Sequence, residues 1–363
     1  MGQKKKNKVS SAVKPSASHP SAPIGNVCII IALPEEKDYF REVLSRRPGW
    51  QVNSDRSVFF CEYSSPYGTV LVRVQTLDGM GHIEAVAGTS SAIAGFSPDF
   101  AMMIGIAGSM DPERVGLGDV VVSNQVKFIG GDKVASLNAK KNGSPKYVLG
   151  DSSTFQNNKS TSMIVDNRDT FLSNSFIRYE RGYIECKEMD VFLSASERHW
   201  ANTDLSALSL DSLPSKVTSL TSSARQREIH SGWLLGSHQV VDSAEYRNYL
   251  VEKNTELSLD IHRQSGDTGR VKWTGGDLLA VDMESYGMLK AVAKFAGKDP
   301  KNGGSEHLVG GISVRGISDL CEDKGELDGS TKSSIRSLAA QNATEVGAKI
   351  IETLDYSSLA RNR

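Results

Sequence analysis

The sequence predicts an α/β protein built on a largely parallel β-sheet. Continuous apolar runs rich in β-branched residues begin at Val27, Asp99 and Leu308, as expected of strands covered on both faces. Helical segments alternate with them. Several of these runs end in small or charged residues, at the strand ends where α/β sheets place their ligands.

The elements follow in order. Residues Met1 to Ile24 are rich in Lys, Ser, Pro and Ala, cannot bury enough apolar surface to offset ordering entropy, and are expected to form a disordered tail. Its Lys4-Lys5-Lys6 cluster reads as a solvated charge run. Val27–Leu33 (VCIIIAL) is the first strand. Pro34 opens a helix from Glu35 to about Arg47, where proline suits the first turn and acidic residues complement the helix dipole. Val58–Tyr63 and Thr69–Leu77 are strands joined by a turn cluster, Ser64-Ser65-Pro66-Tyr67-Gly68. Gly79-Met80-Gly81 leads into an Ala-rich helix reaching about Ala94. Asp99–Ile106 (DFAMMIGI) is a buried strand ending in Ala107-Gly108-Ser109, and Gly118-Asp119 precedes another at Val120–Ser123.

From Asn124 to Glu228 the pattern weakens. Ser, Asn, Lys and Asp dominate, which reads as a large insertion or lid rather than core. Regular structure resumes at Gly232–Leu235, and a second polar stretch occupies about 252–276. Leu278–Val281 is a short strand running into Asp282-Met283-Glu284, followed by a helix over Ser285–Ala296. Leu308–Ile317 (LVGGISVRGI) is the last buried strand. Thr331–Leu354 is an amphipathic helix, with apolar residues at Ile335, Leu338, Val346, Ile350 and Ile351. The expected organisation is a tail at 1–24, one domain at 25–357 with insertions at about 124–228 and 252–276, and a short tail at 358–363.

Composition narrows the class. Hydrophobic residues are 39% and charged residues 23% of the 363, ordinary for a globular protein. The formal net charge of -1 offers no overall basic field for nucleic acid or anionic lipid. No apolar stretch approaches the roughly 20 residues that span a bilayer. The N-terminal lysines are followed by no apolar segment of a secretory signal. Cys28, Cys61, Cys186 and Cys321 lack CxxC spacing and read as free thiols in a reducing cytosol. A cytoplasmic protein with no nucleic-acid or membrane partner is expected.

The strand ends hold the chemistry. The first strand leads to Glu35 and Glu36, the Asp99 strand to Gly105-Ile106-Ala107-Gly108, the Leu278 strand to Asp282-Met283-Glu284, and the last to Arg315-Gly316-Ile317-Ser318-Asp319. Singly these are ordinary: first-turn helix acids, turn glycines, a helix-capping aspartate. Gathering three carboxylates at one sheet edge is costly, because like charges repel and burial penalises each. The combination suits acid/base chemistry.

These blocks, in this order, resemble the nucleoside phosphorylase/nucleosidase superfamily, in particular its methylthioadenosine/S-adenosylhomocysteine nucleosidase-like branch. The resemblance spans about Val27–Gly130 and Gly232–Leu354. It rests on Ala32-Leu33-Pro34-Glu35-Glu36, on Gly105-Ile106-Ala107-Gly108 with Val115–Ser123, on Val281-Asp282-Met283-Glu284 and on Arg315–Asp319. It implies a phosphorylase/hydrolase-like three-layer α/β/α fold with a central mixed, largely parallel sheet, and a catalytic domain over 25–357. It also implies roles. Asp319 would protonate or hydrogen-bond purine N7, positioned by Ser318 and Arg315. Glu284 would hold the ribose hydroxyls, with Met283 against the sugar, and Glu36 would activate water. Ala107 and Gly108 would line the site through backbone. Val240 and Val241, in the loosest match, would contact the base. No metal or organic cofactor is implied, and the histidines show no metal-binding spacing.

Phosphorylase relatives carry a Gly-Asp-x-x-Arg type loop after the first strand and an arginine before the glycine turn. Leu33-Pro34-Glu35-Glu36 and Met103 stand there instead, which favours hydrolysis. The long segments 124–228 and 252–276 depart from the compact nucleosidases. Their basic residues (Lys127, Lys133, Lys140, Lys141, Lys146, Arg168, Arg178, Arg181, Arg263, Arg270 and Lys272) form either a solvated surface or a rim for a 5′-phosphate chain. Enlarged members that deplete nucleotides in antiviral defence make AMP or ATP the alternative substrate, for a latent effector or a subunit of a larger complex. A nucleoside-binding regulatory module and a purine nucleoside phosphorylase are further alternatives. His230 and His238 are further candidates for a place near the site, with surface or packing roles as the simpler account. The resemblance also implies a homo-oligomer.

Overall fold

The computed structural model describes residues 23–55, 58–123, 126–129, 133–136, 176–179, 182–183, 210, 227–238, 240–244, 246–248, 250–251, 278–296, 309–322, 329–354 and 356. The expected tail at 1–24 lies outside these except for its last two residues. The expected insertion at 252–276 and the tail at 358–363 lie outside them entirely.

The first strand, β1 (Gly25–Ile31), shows why a sheet forms at its position. Its side chains alternate between two apolar clusters. Cys28 and Ile30 face one that includes Ala85 and Ala92 of α2 (His82–Phe96) and Met288 and Leu289 of α3 (Ser285–Ala296). Val27, Ile29 and Ile31 face the other, with Phe40 and Leu44 of α1 (Pro34–Arg46) and Val346, Ile350 and Ile351 of α4 (Gly329–Thr353). Both faces of a period-two strand are thus covered, which is why the run is continuously apolar. Each fully buried side chain of this size contributes about 1.5–3 kcal/mol. The result is the expected three-layer α/β/α fold.

Next to β1 lie β4 (Gly68–Thr76) on one side and β5 (Phe100–Ser109) on the other, both parallel to it. Beyond β4, β3 (Val58–Ser65) and β2 (Trp50–Asp55) continue antiparallel. β14 (Gly310–Asp319) runs parallel along β5, and its outer edge carries β6 (Val120–Ser123), which in turn pairs with β11 (Ile229–Ser231). β13 (Leu278–Asp282) meets the end of β5 antiparallel and continues through β12 (Trp233–Ser237) to β7 (Val126–Ile129) and β10 (Gly182–Tyr183). A separate pair joins β8 (Lys133–Ser136) to β9 (Phe176–Tyr179).

Six described strands were not expected, β2, β7, β8, β9, β10 and β11, and two of them bear on the main sheet most directly. β2 carries the polar sequence WQVNSD at a sheet edge, where a half-solvated strand needs no apolar run. β7 falls inside 124–228 and is part of the main sheet, so the sheet continues past Asn124. Four residues flanked by polar sequence carry too little periodicity to be read without their neighbours.

The junction of β1, β5 and β13 positions the site. β1 pairs with β5 from Val27↔Phe100 to Ile30↔Met103. β13, running the opposite way, pairs with it at Ala280↔Ser109 and Val281↔Gly108. The carboxyl ends of β1 and β13 therefore point at each other across a gap in the pairing of β5 at residues 104–107. Whatever follows those two strands must meet in that gap.

Candidate active site

Glu36 follows β1. It shares its helix face with Phe40, Val43 and Leu44, the buried side of α1, while Glu35 points to solvent. Both its oxygens are occupied by backbone donors. The Leu33 N–H donates to Oε2 at 3.0 Å and the Ile106 N–H to Oε1 at 3.0 Å. The second donor belongs to β5 within the gap, where a strand would otherwise have accepted. Burial pushes Glu36 up to about 7, and the neighbouring charge of Glu284 adds to this. Arg315 and the two backbone donors pull against it. A Cβ at Gly105 would fall 2.8 Å from Glu36 Oε1 and closer still to Arg315 Nη1, so only glycine leaves room for both side chains.

Asp282 ends β13 and Glu284 follows it. Arg315, fully buried on β14, places Nη2 at 2.5 Å from Asp282 Oδ2 and 3.6 Å from Glu284 Oε2. Its Nε donates to Ser285 Oγ at 3.2 Å, and that hydroxyl lies 2.6 Å from Ser313 Oγ. Glu284 Oε1 accepts from the Gly81 N–H at 3.0 Å. Gly81 is the N-cap of α2 with φ 105°, in the region glycine favours, so the positive end of that helix is aimed at the carboxylate. Glu284 is nonetheless raised above the ordinary carboxylate range. Burial is the main cause and Asp282 assists, against Arg315 and the backbone donors.

Asp319 ends β14, beside Gly108. Its Oδ1 accepts from the Cys321 N–H at 3.1 Å and its Oδ2 from Ser318 Oγ at 3.0 Å. Ser318 Oγ also lies 3.3 Å from the Ala107 carbonyl. A Cβ at Gly108 would stand 2.7 Å from Asp319 Oδ1, which accounts for the second glycine of the turn.

These groups border one cavity of about 470 Å³. Its wall includes all three expected catalytic carboxylates, Glu36, Glu284 and Asp319, with Ala107, Gly108, Val240, Val241, Met283 and Ser318. Arg315 lies elsewhere than expected. It stands behind the wall against Asp282 and Glu284 rather than beside Asp319, because its whole side chain is enclosed between β5, β14 and α3. His238 packs edge-on to His82, with ring centroids 5.1 Å apart, and burial lowers His82 to about 4. His230 Nε2 lies 3.0 Å from Asp119 Oδ2, tying β11 to the turn before β6.

Sequence reasoning assigned no role to Asp282, Met80, Leu320, Glu322, Lys332 and Arg336, which also border the cavity or its floor. Asp282 lies inside the Val281–Glu284 block, and Met80 in the Gly79-Met80-Gly81 turn that leads into α2. Lys332 and Arg336 had one available signal, their i,i+4 spacing on α4. Of the basic residues named for a 5′-phosphate rim, Lys127, Lys133 and Arg178 fall within described strands; the others lie outside the described residues.

An α/β/α fold with acidic strand ends gathered at a break in strand pairing defines a class. The chain belongs to the phosphorylase superfamily, whose family model matches residues 26–352. This bears out the family expected from the four sequence blocks. No protein of curated function matches the sequence significantly. Among solved structures the chain is similar to the 5′-methylthioadenosine/S-adenosylhomocysteine nucleosidase of Neisseria meningitidis in complex with methylthio-immucillin-A, at 14% identity over 91% of this chain and 100% of that one, TM-score 0.45. It is also similar to the futalosine hydrolase of Helicobacter pylori, at 15% identity over 91% and 98%, TM-score 0.45. A third is the nucleosidase of the same methylthioadenosine type from Colwellia psychrerythraea in complex with adenine, at 13% identity over 91% and 96%, TM-score 0.44.

Proposed function

We propose that the protein hydrolyses the N-glycosidic bond of an adenine nucleoside or nucleotide, releasing adenine and a ribose product. The observation that carries this reading is the convergence of Glu36, Glu284 and Asp319 on one cavity, with Glu36 poised at about 7. A general base works best when its pKa lies near the operating pH.

In this mechanism the bond from C1′ to the base breaks and its electron pair leaves with the purine. Asp319 delivers a proton, or a hydrogen bond, at N7 and so neutralises the departing base. The sugar gains oxocarbenium character, which the negative wall of Glu284 and Glu36 stabilises. Glu284 holds the ribose hydroxyls. Glu36 accepts a proton from the water whose oxygen bonds to C1′, and the products are free base and ribose. Water rather than phosphate is the acceptor because a carboxylate occupies the position beside C1′, where it repels an anion. Val240, Val241 and Leu320 offer the base an apolar slot, and Ala107 and Gly108 present backbone to it.

Incubation with adenosine, AMP, ATP and methylthioadenosine, followed by chromatography for free adenine, tests the proposal. Adenine from at least one of them, without added phosphate, is expected. Adenine from none overturns it.

A further inference from the structure

Asp319 is held by a peptide group that is itself held from behind. The peptide joining Leu320 to Cys321 donates its N–H to Asp319 Oδ1 at 3.1 Å, and its carbonyl accepts from Arg247 Nη1 at 2.7 Å. A trans peptide points these two groups in opposite directions, so Arg247 stands on the far side of the peptide from Asp319. Arg247 is buried and is not part of the cavity wall. Its Nη1 also lies 3.0 Å from Glu322 Oε2, and its Nε donates to Asn248 Oδ1 at 3.2 Å.

The backbone is strained at the same place. Cys321 has φ 57°, in the left-handed region that a residue with a Cβ adopts at a cost. Its side chain is enclosed with Met110, Val241, Leu250 and Val281, and a Cβ on Gly108, beside Asp319, would run into Cys321 Sγ. Such a conformation persists only where its surroundings over-determine it. The ion pair with Glu322 does not explain why an arginine is buried here. The Glu322 side chain is 33% exposed, and a pair with a solvated partner contributes little. The buried acceptor of the guanidinium is the Leu320 carbonyl.

We propose that Arg247 is a positioning residue for Asp319, acting through the Leu320–Cys321 peptide. The inference rests on the N-glycosidase reading, in which Asp319 serves purine N7. A cation on the carbonyl polarises the peptide and makes its N–H a stronger donor. That N–H on Oδ1 and Ser318 Oγ, 3.0 Å from Oδ2, together fix the plane of the carboxyl group. Leu320 also borders the cavity with Val240 and Val241, so one guanidinium sets both the acid and a wall of the base slot. Without Arg247 the peptide loses the contact that keeps Cys321 left-handed, and its N–H turns away from Oδ1.

The test is a double-mutant cycle in the full chain, with Arg247→Met, Asp319→Asn and both together. Each is assayed on the substrate, among adenosine, AMP, ATP and methylthioadenosine, that releases adenine fastest. A second assay uses 4-nitrophenyl β-D-ribofuranoside, whose leaving group needs no proton. Arg247→Met is expected to lower kcat for adenine release by about 10- to 100-fold with KM changed by no more than about threefold. Nitrophenol release should stay within about threefold, and the Asp319→Asn background should show no further loss beyond about twofold. Equal losses on both leaving groups, or additive losses in the double variant, overturn the proposal, because a merely structural role produces them. The cycle alone decides if the riboside is not cleaved. Where Arg247→Met does not fold, Arg247→Lys takes its place, with a loss of about three- to tenfold confined to adenine release. No loss, or a loss on both substrates, overturns the proposal. If no substrate releases adenine, the hydrolysis reading falls, and calorimetry with adenine decides the role of Arg247. Weaker binding in Arg247→Met, with no further weakening when Asp319→Asn is added, supports it. Equal binding, or no binding by the wild type, overturns it.

Discussion

The two ends of the cavity are built on different principles. Around Glu36 and Glu284 every polar atom is tied to backbone or to a buried guanidinium, and the side chains of Glu36, Glu284 and Arg315 are almost wholly enclosed. At the mouth, Val240 is 63% and Met80 59% exposed, and Lys332 is open to solvent. The inner wall is preorganised by strand ends that cannot move independently. The mouth is supplied by connecting segments and by one helix face. On the proposed reading, reaction chemistry belongs to the sheet and substrate choice to what surrounds it.

Four substitutions put pressure on that contrast, in decreasing order of expected effect. Asp319→Asn should lower adenine release by about 100- to 10,000-fold while circular dichroism and the melting midpoint stay near wild type. Retained activity would remove Asp319 from the mechanism. Arg315→Met touches no substrate yet leaves Asp282 and Glu284 without their buried partner, so denaturant unfolding should show a loss of about 3–5 kcal/mol. A variant as stable as wild type would mean the inner wall is looser than described.

Glu36→Gln separates charge from shape. Burial raises the folded pKa from 4.5 to about 7, so the contribution of Glu36 to stability is fully present below about 4.5 and lost as pH rises through about 7. The stability difference between variant and wild type should move in the variant's favour by about 3 kcal/mol between pH 5 and pH 9. A difference independent of pH contradicts an enclosed Glu36. The same ionisation predicts that wild-type kcat/KM rises with pH through about 7, since only the carboxylate can accept a proton from water. Val240→Ser, at the mouth, should change KM by no more than about fivefold and leave the melting midpoint alone.

Much of the inner wall was legible in the sequence. β1, β5 and β14 are continuous apolar runs because both faces are covered, and a Glu, a Met-Glu pair and an Asp mark three strand ends. α3 occupies the span its periodicity indicates. What escaped has a physical cause in each case. β2 is polar because it is an edge, and β7 is too short to show a period. The pairing of Arg315 with Asp282 joins two strands that are not even neighbours in the sheet, so spacing along the chain carries no trace of it. Lys332 and Arg336 sit in a helix whose other residues serve the core, and their approach to the cavity exists only once α4 has crossed β14.

The stretch of β5 left unpaired on one edge, between β1 and β13, has a consequence for how such a protein tolerates change. A sheet that switches neighbours midway along a strand leaves backbone donors facing nothing, and a side chain has been recruited to fill the vacancy. Lengthening β1 by two residues of regular pairing would supply those donors with carbonyls and displace Glu36 from its seat. Added length in the surface segments reaches neither strand end. The pocket is thus a property of where two strands stop. Growth elsewhere in the chain can remodel the mouth without shifting the carboxylates of the inner wall.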